Sequence, residues 1–247
     1  MAKLEVKHLS KSFAEKPVLE GLNFYVNDQE IVSIVGPSGV GKSTLFHLIA
    51  GLLAPTAGDI LLDGQSIVNQ TGKVSYMLQK DLLFAYKTIE ENVALPLILQ
   101  GIKQKEALEK ARRLLEEFGL ASVAKAYPQA LSGGMRQRVA LLRTYLFSAN
   151  FILLDEPFSA LDPFTKSEIH DWYLKIQKQL QLTTLFITHD IDEAIKLSDR
   201  IYILKGHQSH QLIEVVIDPH LKLCDEYELS EAFLAYKRKI IHELKAK

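Results

Sequence analysis

Gly36-Pro37-Ser38-Gly39-Val40-Gly41-Lys42-Ser43 sets glycines, a lysine and a hydroxyl at the spacing of a phosphate-binding loop. The apolar, β-branched run Ile31-Val32-Ser33-Ile34-Val35 precedes it, and Thr44-Leu45-Phe46-His47-Leu48-Ile49 follows with its apolar residues at helical spacing. A strand, a glycine turn and a helix N-terminus in that order supply the context the pattern needs. Backbone N–H groups from Gly36 to Thr44 can curl around an anion, because the glycines put no Cβ in the way. The following helix aims its positive dipole end at the same phosphates. Lys42 is expected to reach the β- and γ-phosphates as a point charge, and the Ser43 hydroxyl to ligate Mg²⁺.

A second set of residues completes a hydrolytic site. Phe151-Ile152-Leu153-Leu154 leads into Asp155-Glu156-Pro157, a buried strand that delivers two carboxylates at its C-terminal end. Asp155 is expected to hold the metal, mostly through water, and Glu156 to polarise the attacking water as general base. Two adjacent carboxylates have little structural use there, since burying them unpaired is costly. Leu131-Ser132-Gly133-Gly134-Met135-Arg136-Gln137-Arg138 is another glycine turn opening a helix. Taken alone it is only a good N-cap.

With a phosphate loop, a Ser-Gly-Gly turn and an acidic strand in this order, the chain resembles the ATP-binding subunits of ABC transporters over nearly its whole length. The resemblance implies a P-loop NTPase of the α/β class: a RecA-like parallel-sheet core, an N-terminal antiparallel β subdomain and an inserted α-helical subdomain. It implies ATP and Mg²⁺ as ligands, with Gly36 to Thr44 binding the nucleotide and Ser43, Gln79 and Asp155 around the metal. Two copies face each other head to tail in such proteins. Ser132, Gly133, Gly134 and Gln137 therefore belong to a signature that acts in trans on the other copy's γ-phosphate. Gln79 matches the metal- and water-sensing glutamine at the entrance to the helical lobe. Asp162, in Ser159-Ala160-Leu161-Asp162, matches the loop that touches the opposite subunit. His189, after Thr184-Leu185-Phe186-Ile187-Thr188, matches the histidine that contacts the γ-phosphate, joining Glu156 and Lys42 as the catalytic set. Phe13 lies where the family stacks an aromatic on adenine; a core phenylalanine of the first hairpin is the competing reading.

Met135-Arg136-Gln137-Arg138 and Asp190-Ile191-Asp192-Glu193-Ala194 resemble bacterial importers, especially the NitT/TauT group serving nitrate, sulfonate, taurine and pyrimidine-type thiamine precursors. The alternatives are the ATPase of an exporter or lipoprotein-release system, and a non-transport ABC protein. The implied partners are a second ATP-binding subunit (a homodimer), permease subunits docking near residues 79–100, and an extracytoplasmic substrate-binding protein acting indirectly. The implied location is the cytoplasmic face of the membrane, as a peripheral subunit.

The elements that must position these residues are legible in outline. Strands are expected at Leu4–Leu9, Leu22–Val26, Asp59–Leu62 with an Asp63-Gly64 turn, and Val74–Leu78. Helices are expected over Glu106–Phe118, ended by Gly119, over Gly134–Leu146, and over Thr165–Leu180. Phe151–Leu154 and Thr184–Ile187 read as buried parallel strands, and Arg200–Leu204 with Gln211–Ile217 as a hairpin. The whole chain, 1–247, is expected to be one ATP-binding domain. Its core would take 1–84 and 148–217, its helical subdomain about 85–147, and its final helix about 230–244. A formal net charge of −1 without a long basic run argues against nucleic acid as the main partner. The single cysteine, Cys224, forms no internal disulfide and is read as an inert thiol. No leader is legible at Met1-Ala2-Lys3, and no apolar run reaches the ~20 residues a bilayer span needs, so the chain reads as soluble.

Overall fold

The computed structural model describes residues 2–14, 16–147, 151–205, 212–221 and 227–245. Strands β1 (Ala2–Phe13) and β2 (Lys16–Asn27) form one long antiparallel hairpin, where two shorter strands were expected. The register shifts at several points along β1, and these bulges break the plain alternation that would have marked its full length. Leu4, Val6 and Leu9 on β1 and Leu19, Leu22, Phe24 and Val26 on β2 are buried. β3 (Ile31–Val35) is buried at every residue, and α1 (Lys42–Ile49) follows directly from the glycine loop. β4 (Ala57–Leu62) turns at Asp63-Gly64, both at positive φ (50° and 75°), into the two-residue β5 (Gln65–Ser66). β6 (Ser75–Met77) closes the N-terminal half.

Three helices follow: α2 (Ile89–Leu99), α3 (Gln104–Glu117) and α4 (Gly133–Tyr145). Among them α2 was not foreseen, because apolar residues surround it on all sides and Pro96 lies inside it. A Thr88–Glu91 capping box fixes its start. The chain then returns through β7 (Phe151–Asp155), α5 (Pro163–Leu180), β8 (Thr183–Thr188), α6 (Ile191–Leu197), β9 (Arg200–Leu204) and β10 (Leu212–Val216) to α7 (Glu231–Lys245). Seven-residue α6 is too short to declare a period, and it too was unforeseen. Gln211 of the expected hairpin, the first residues (148–150) of the core's expected second segment, and Cys224 lie outside the described residues.

Two sheets result. β2-β1-β4-β5 is antiparallel; β10-β9-β3-β8-β7-β6 is parallel except for its β9–β10 pair. In the parallel sheet Val35 pairs with Thr188, Asp155 with Ile187, and Met77 with Leu154. The ends of β3, β8, β7 and β6 therefore open onto one edge, where α/β sheets gather their ligands. Apolar side chains from α2, α3 and α4 join those of β7, β8 and α5 in one core cluster. A second cluster lies between the antiparallel sheet, α1 and β3. A third packs α7 and α6 against β9. Among the described residues no helix is long and apolar enough to cross a membrane.

Candidate functional site

The glycine loop is held by contacts only glycine tolerates. A Cβ on Gly36 would come 2.5 Å from the Leu204 carbonyl oxygen, and one on Gly41, at φ 109°, 2.8 Å from Leu19 Cδ2. Gly41 caps α1 in a left-handed conformation without a side-chain hydrogen bond, leaving the first-turn N–H groups to the loop's concave side. Pro37, Ser38, Gly39 and Ser43 are exposed, Gly36 and Thr44 half-buried, and Val40 buried beneath the loop. Lys42 folds back over the loop: Nζ donates to the carbonyl oxygens of Gly36 at 2.7 Å and Pro37 at 2.8 Å. Burial lowers its pKa, opposed by the fields of Glu156 and Asp155.

Beside the loop, three predicted residues meet on one oxygen. Glu156 Oε2 accepts from Gln79 Nε2 at 3.3 Å and lies 3.1 Å from His189 Nδ1. Gln79 also donates to Ser159 Oγ at 3.2 Å. The Glu156 backbone is in the left-handed region, φ 46°, where a side chain costs about 1–2 kcal/mol. Its N–H donates to the Ile187 carbonyl at 3.0 Å and its carbonyl accepts the Ser159 hydroxyl at 3.0 Å, so neighbours on both sides hold it there. The turn throws the carboxylate back toward the sheet edge, where a relaxed strand end would lead away from it.

Asp155 faces a partner that sequence reasoning missed. Tyr76 donates its phenol to Asp155 Oδ2 at 3.2 Å, and its ring lies edge-on to Phe46 and His47 of α1. Burial raises the pKa of Asp155; the Tyr76 hydrogen bond works against that and the nearby Glu156 charge reinforces it. No local pattern marks Tyr76, because pairing of β6 with β7 alone brings it there. Ser43, Gln79 and Asp155 offer a hydroxyl, an amide oxygen and a carboxylate. Such hard oxygen donors suit Mg²⁺, which takes its remaining ligands from water and phosphate.

The remaining predicted residues lie apart from this cluster. Ser132 is exposed and caps α4, accepting from Met135 N at 3.3 Å. Gly133 is half-buried, while Gly134 is buried so closely that a Cβ would stand 2.6 Å from Thr165 Cγ2 of α5. Asp162 is exposed and caps α5, accepting from the N–H groups of Phe164 and Thr165, each at 3.1 Å. Gln137 does not share the exposure of the signature serine. It lies on the buried stripe of α4 with Gly134, Leu141 and Thr144, and donates to the Pro157 carbonyl of its own chain. Helical period, which turns the position five residues past the cap inward, accounts for the difference. Phe13 is exposed at the end of β1, with Lys11 Nζ 5.0 Å from its ring centre.

A groove of about 440 Å³ opens between β6, α2 and α4. Leu52, Leu78, Leu82, Phe84 and Leu99 line it, and each is exposed. Arg143 reaches under its floor, donating to the carbonyls of Leu82 at 2.8 Å and Asp81 at 2.5 Å, and Leu82 itself is left-handed at φ 46°.

A family model described as ABC transporter matches residues 19–159. The formylaminopyrimidine import ATP-binding protein ThiZ of Halalkalibacterium halodurans is 46% identical over 209 residues, 85% of this chain and 82% of that one. The aliphatic sulfonates import ATP-binding protein SsuB of Bacillus cereus is 40% identical over 237 residues, 96% of this chain and 92% of its own. Among solved structures, cbiO1 of Clostridium perfringens, part of the ABC transporter complex cbiONQ, superposes with a TM-score of 0.79. It covers 98% of this chain and 93% of its own at 24% identity, a likeness of fold.

Proposed function

The chain belongs to the ABC transporter family, as an ATPase that binds ATP, and we propose that it energises an importer of a small sulfonate-, nitrate- or pyrimidine-like solute. The relatives are named for import of formylaminopyrimidine and of aliphatic sulfonates, which supports import over export. The observation that carries the catalytic part is the convergence of Gln79 and His189 on Glu156 at the sheet edge beside the glycine loop.

In this reading Gly36 to Thr44 wrap the phosphates, and Lys42 exchanges two carbonyl acceptors for phosphate oxygens. Phe13 offers its exposed ring to the adenine. Glu156 takes the proton of the attacking water, and Gln79 orients that water from the other side. His189 turns from Glu156 toward the γ-phosphate. Ser43, Gln79 and, through water, Asp155 would hold Mg²⁺, which would supply charge neutralisation at the phosphates.

The site is completed by a second copy of the chain. Ser132, Gly133 and Gly134 present a hydroxyl, backbone N–H groups and a helix N-terminus to solvent, the same anion chemistry as the glycine loop. Asp162 lies at the same end of α5 as the Gly134 contact and meets the partner copy. Gln137 ties this signature helix to the turn after the acidic strand within its own subunit. Residues about 85–147 act as the lobe that carries closure to the membrane, with 1–84 and 148–217 as the core and the last helix bracing it. The apolar groove with Leu82, Phe84 and Leu99 receives a permease segment at the cytoplasmic face of the membrane. An external binding protein acts only through that permease.

The test is copurification. A tagged full-length chain should bring down a polytopic permease, and Phe84→Ser with Leu99→Ser should lose it while still binding ATP. Retention of the permease by the double variant would remove the groove from the docking surface.

A further inference from the structure

Behind His189, between α5 and α6, lies a polar cavity of about 220 Å³ lined by Lys166, His170, Asp190, Glu193, Lys196 and Glu228 among others. Two of its side chains are almost wholly buried, His170 at 4% and Glu193 at 3% exposure. Each keeps one polar atom without a hydrogen-bond partner, His170 Nε2 and Glu193 Oε1. A buried orphan carboxyl oxygen costs roughly 1–3 kcal/mol, so its retention calls for a return elsewhere.

The other oxygen shows the return. Thr188 donates its hydroxyl to Glu193 Oε2 at 3.1 Å, and the same hydroxyl oxygen accepts the Asp190 N–H at 3.0 Å. Thr188 and Asp190 are the two neighbours of His189. The hydroxyl has one proton, and Glu193 takes it, which leaves the lone pair turned to Asp190. Asp190 in turn caps α6, accepting from Asp192 N at 3.0 Å and Glu193 N at 3.2 Å, and is paired with Lys166 Nζ of α5 at 2.9 Å. One hydroxyl, itself bonded to a buried carboxyl, thus links the two residues that flank His189.

We propose that Glu193 is a positioning residue for hydrolysis: through Thr188 it fixes the peptide frame that aims His189 at Glu156 and, with ATP bound, at the γ-phosphate. The proposal rests on His189 acting in the ATPase reading above. The cavity separates Glu193 from α5, whose N-terminus Asp162 caps. Burial pushes the Glu193 carboxyl up to about 8, with Asp190 and Glu156 adding to the shift and Lys166 and the Thr188 hydroxyl opposing it. A glutamine, neutral and still an acceptor, is accordingly the conservative replacement.

Glu193→Met keeps the side chain's length and removes the acceptor. In the full-length chain with Mg²⁺ and ATP it should lower kcat about tenfold and leave KM for ATP within about twofold, since only the frame of His189 is disturbed. Glu193→Gln should keep at least half of wild-type kcat. Should the methionine variant not fold, Thr188→Val removes the same hydrogen bonds from the other end and should give the same loss of kcat at unchanged KM. Wild-type kcat in folded Glu193→Met or Thr188→Val would overturn the proposal, as would a glutamine variant as slow as methionine. His189→Ala, measured alongside, isolates the underlying reading. A wild-type rate there would sink the His189 assignment itself, whereas a slow His189→Ala beside a fast Glu193→Met would sink only the positioning role.

Discussion

His189 Nδ1 lies 3.1 Å from Glu156 Oε2, so the histidine after β8 and the carboxylate after β7 face each other across adjacent strands. Glu156→Gln should cut turnover by about 10²–10³-fold, the size expected for loss of a general base. ATP binding should survive and an ATP-stabilised dimer accumulate. Phosphate release and gel filtration with ATP measure both, and near wild-type turnover would remove Glu156 as the base.

The exposed Ser132 cap invites a mixing experiment. Ser132→Arg and Lys42→Ala should each be inactive alone. Mixed in equal amounts they should recover about a quarter of wild-type activity, because half of the dimers then carry one intact composite site. Full activity of Ser132→Arg by itself would mean that the site is not shared.

Tyr76 can be tested by a single atom. Tyr76→Phe keeps the ring against Phe46 and His47 and removes the donor to Asp155. The Mg²⁺ concentration giving half-maximal turnover should rise about tenfold, as for other partners of metal-binding carboxylates. An unchanged Mg²⁺ dependence would assign Tyr76 to packing alone.

His170 predicts an acid limb of stability. Burial, with the fields of Lys196 and Lys166, pushes its imidazole down to about 4 from the ordinary 6.5. Between those values the folded chain binds fewer protons than the unfolded one. The contribution is therefore fully present above pH 6.5 and is lost as pH falls through about 4, on the order of 3 kcal/mol in all. Denaturant midpoints at pH 7.5 and pH 4.5 should converge more closely in His170→Gln than in the wild-type chain. Equal pH sensitivity of the two proteins would show that His170 already finds a proton partner when folded.

What could be read from the chain was what is written contiguously. The glycine loop, the Ser-Gly-Gly turn and the Phe151–Asp155 strand each carry their chemistry within a few residues, so spacing alone exposes them. Helix α2 was hidden because Pro96 and an all-round apolar surface erase its period, although the Thr88–Glu91 capping box was available as a signal. Tyr76 with Asp155, Gln137 with Pro157 and Glu193 with Thr188 arise from tertiary geometry or from a helix too short to announce itself. A spacing argument sees positions along the chain, and these contacts depend on which way a helix or strand turns a side chain.

The near-contact between Gly134 and Thr165 constrains the routes by which this protein can change. An alanine at 134 would collide with Thr165 Cγ2, so it is better tolerated in a background where position 165 has already lost that methyl, as in serine, alanine or glycine. The reverse order passes through a wedged, misaligned signature. Variation at the two positions is thus epistatic, and a library that randomises them separately would miss every sequence that needs both.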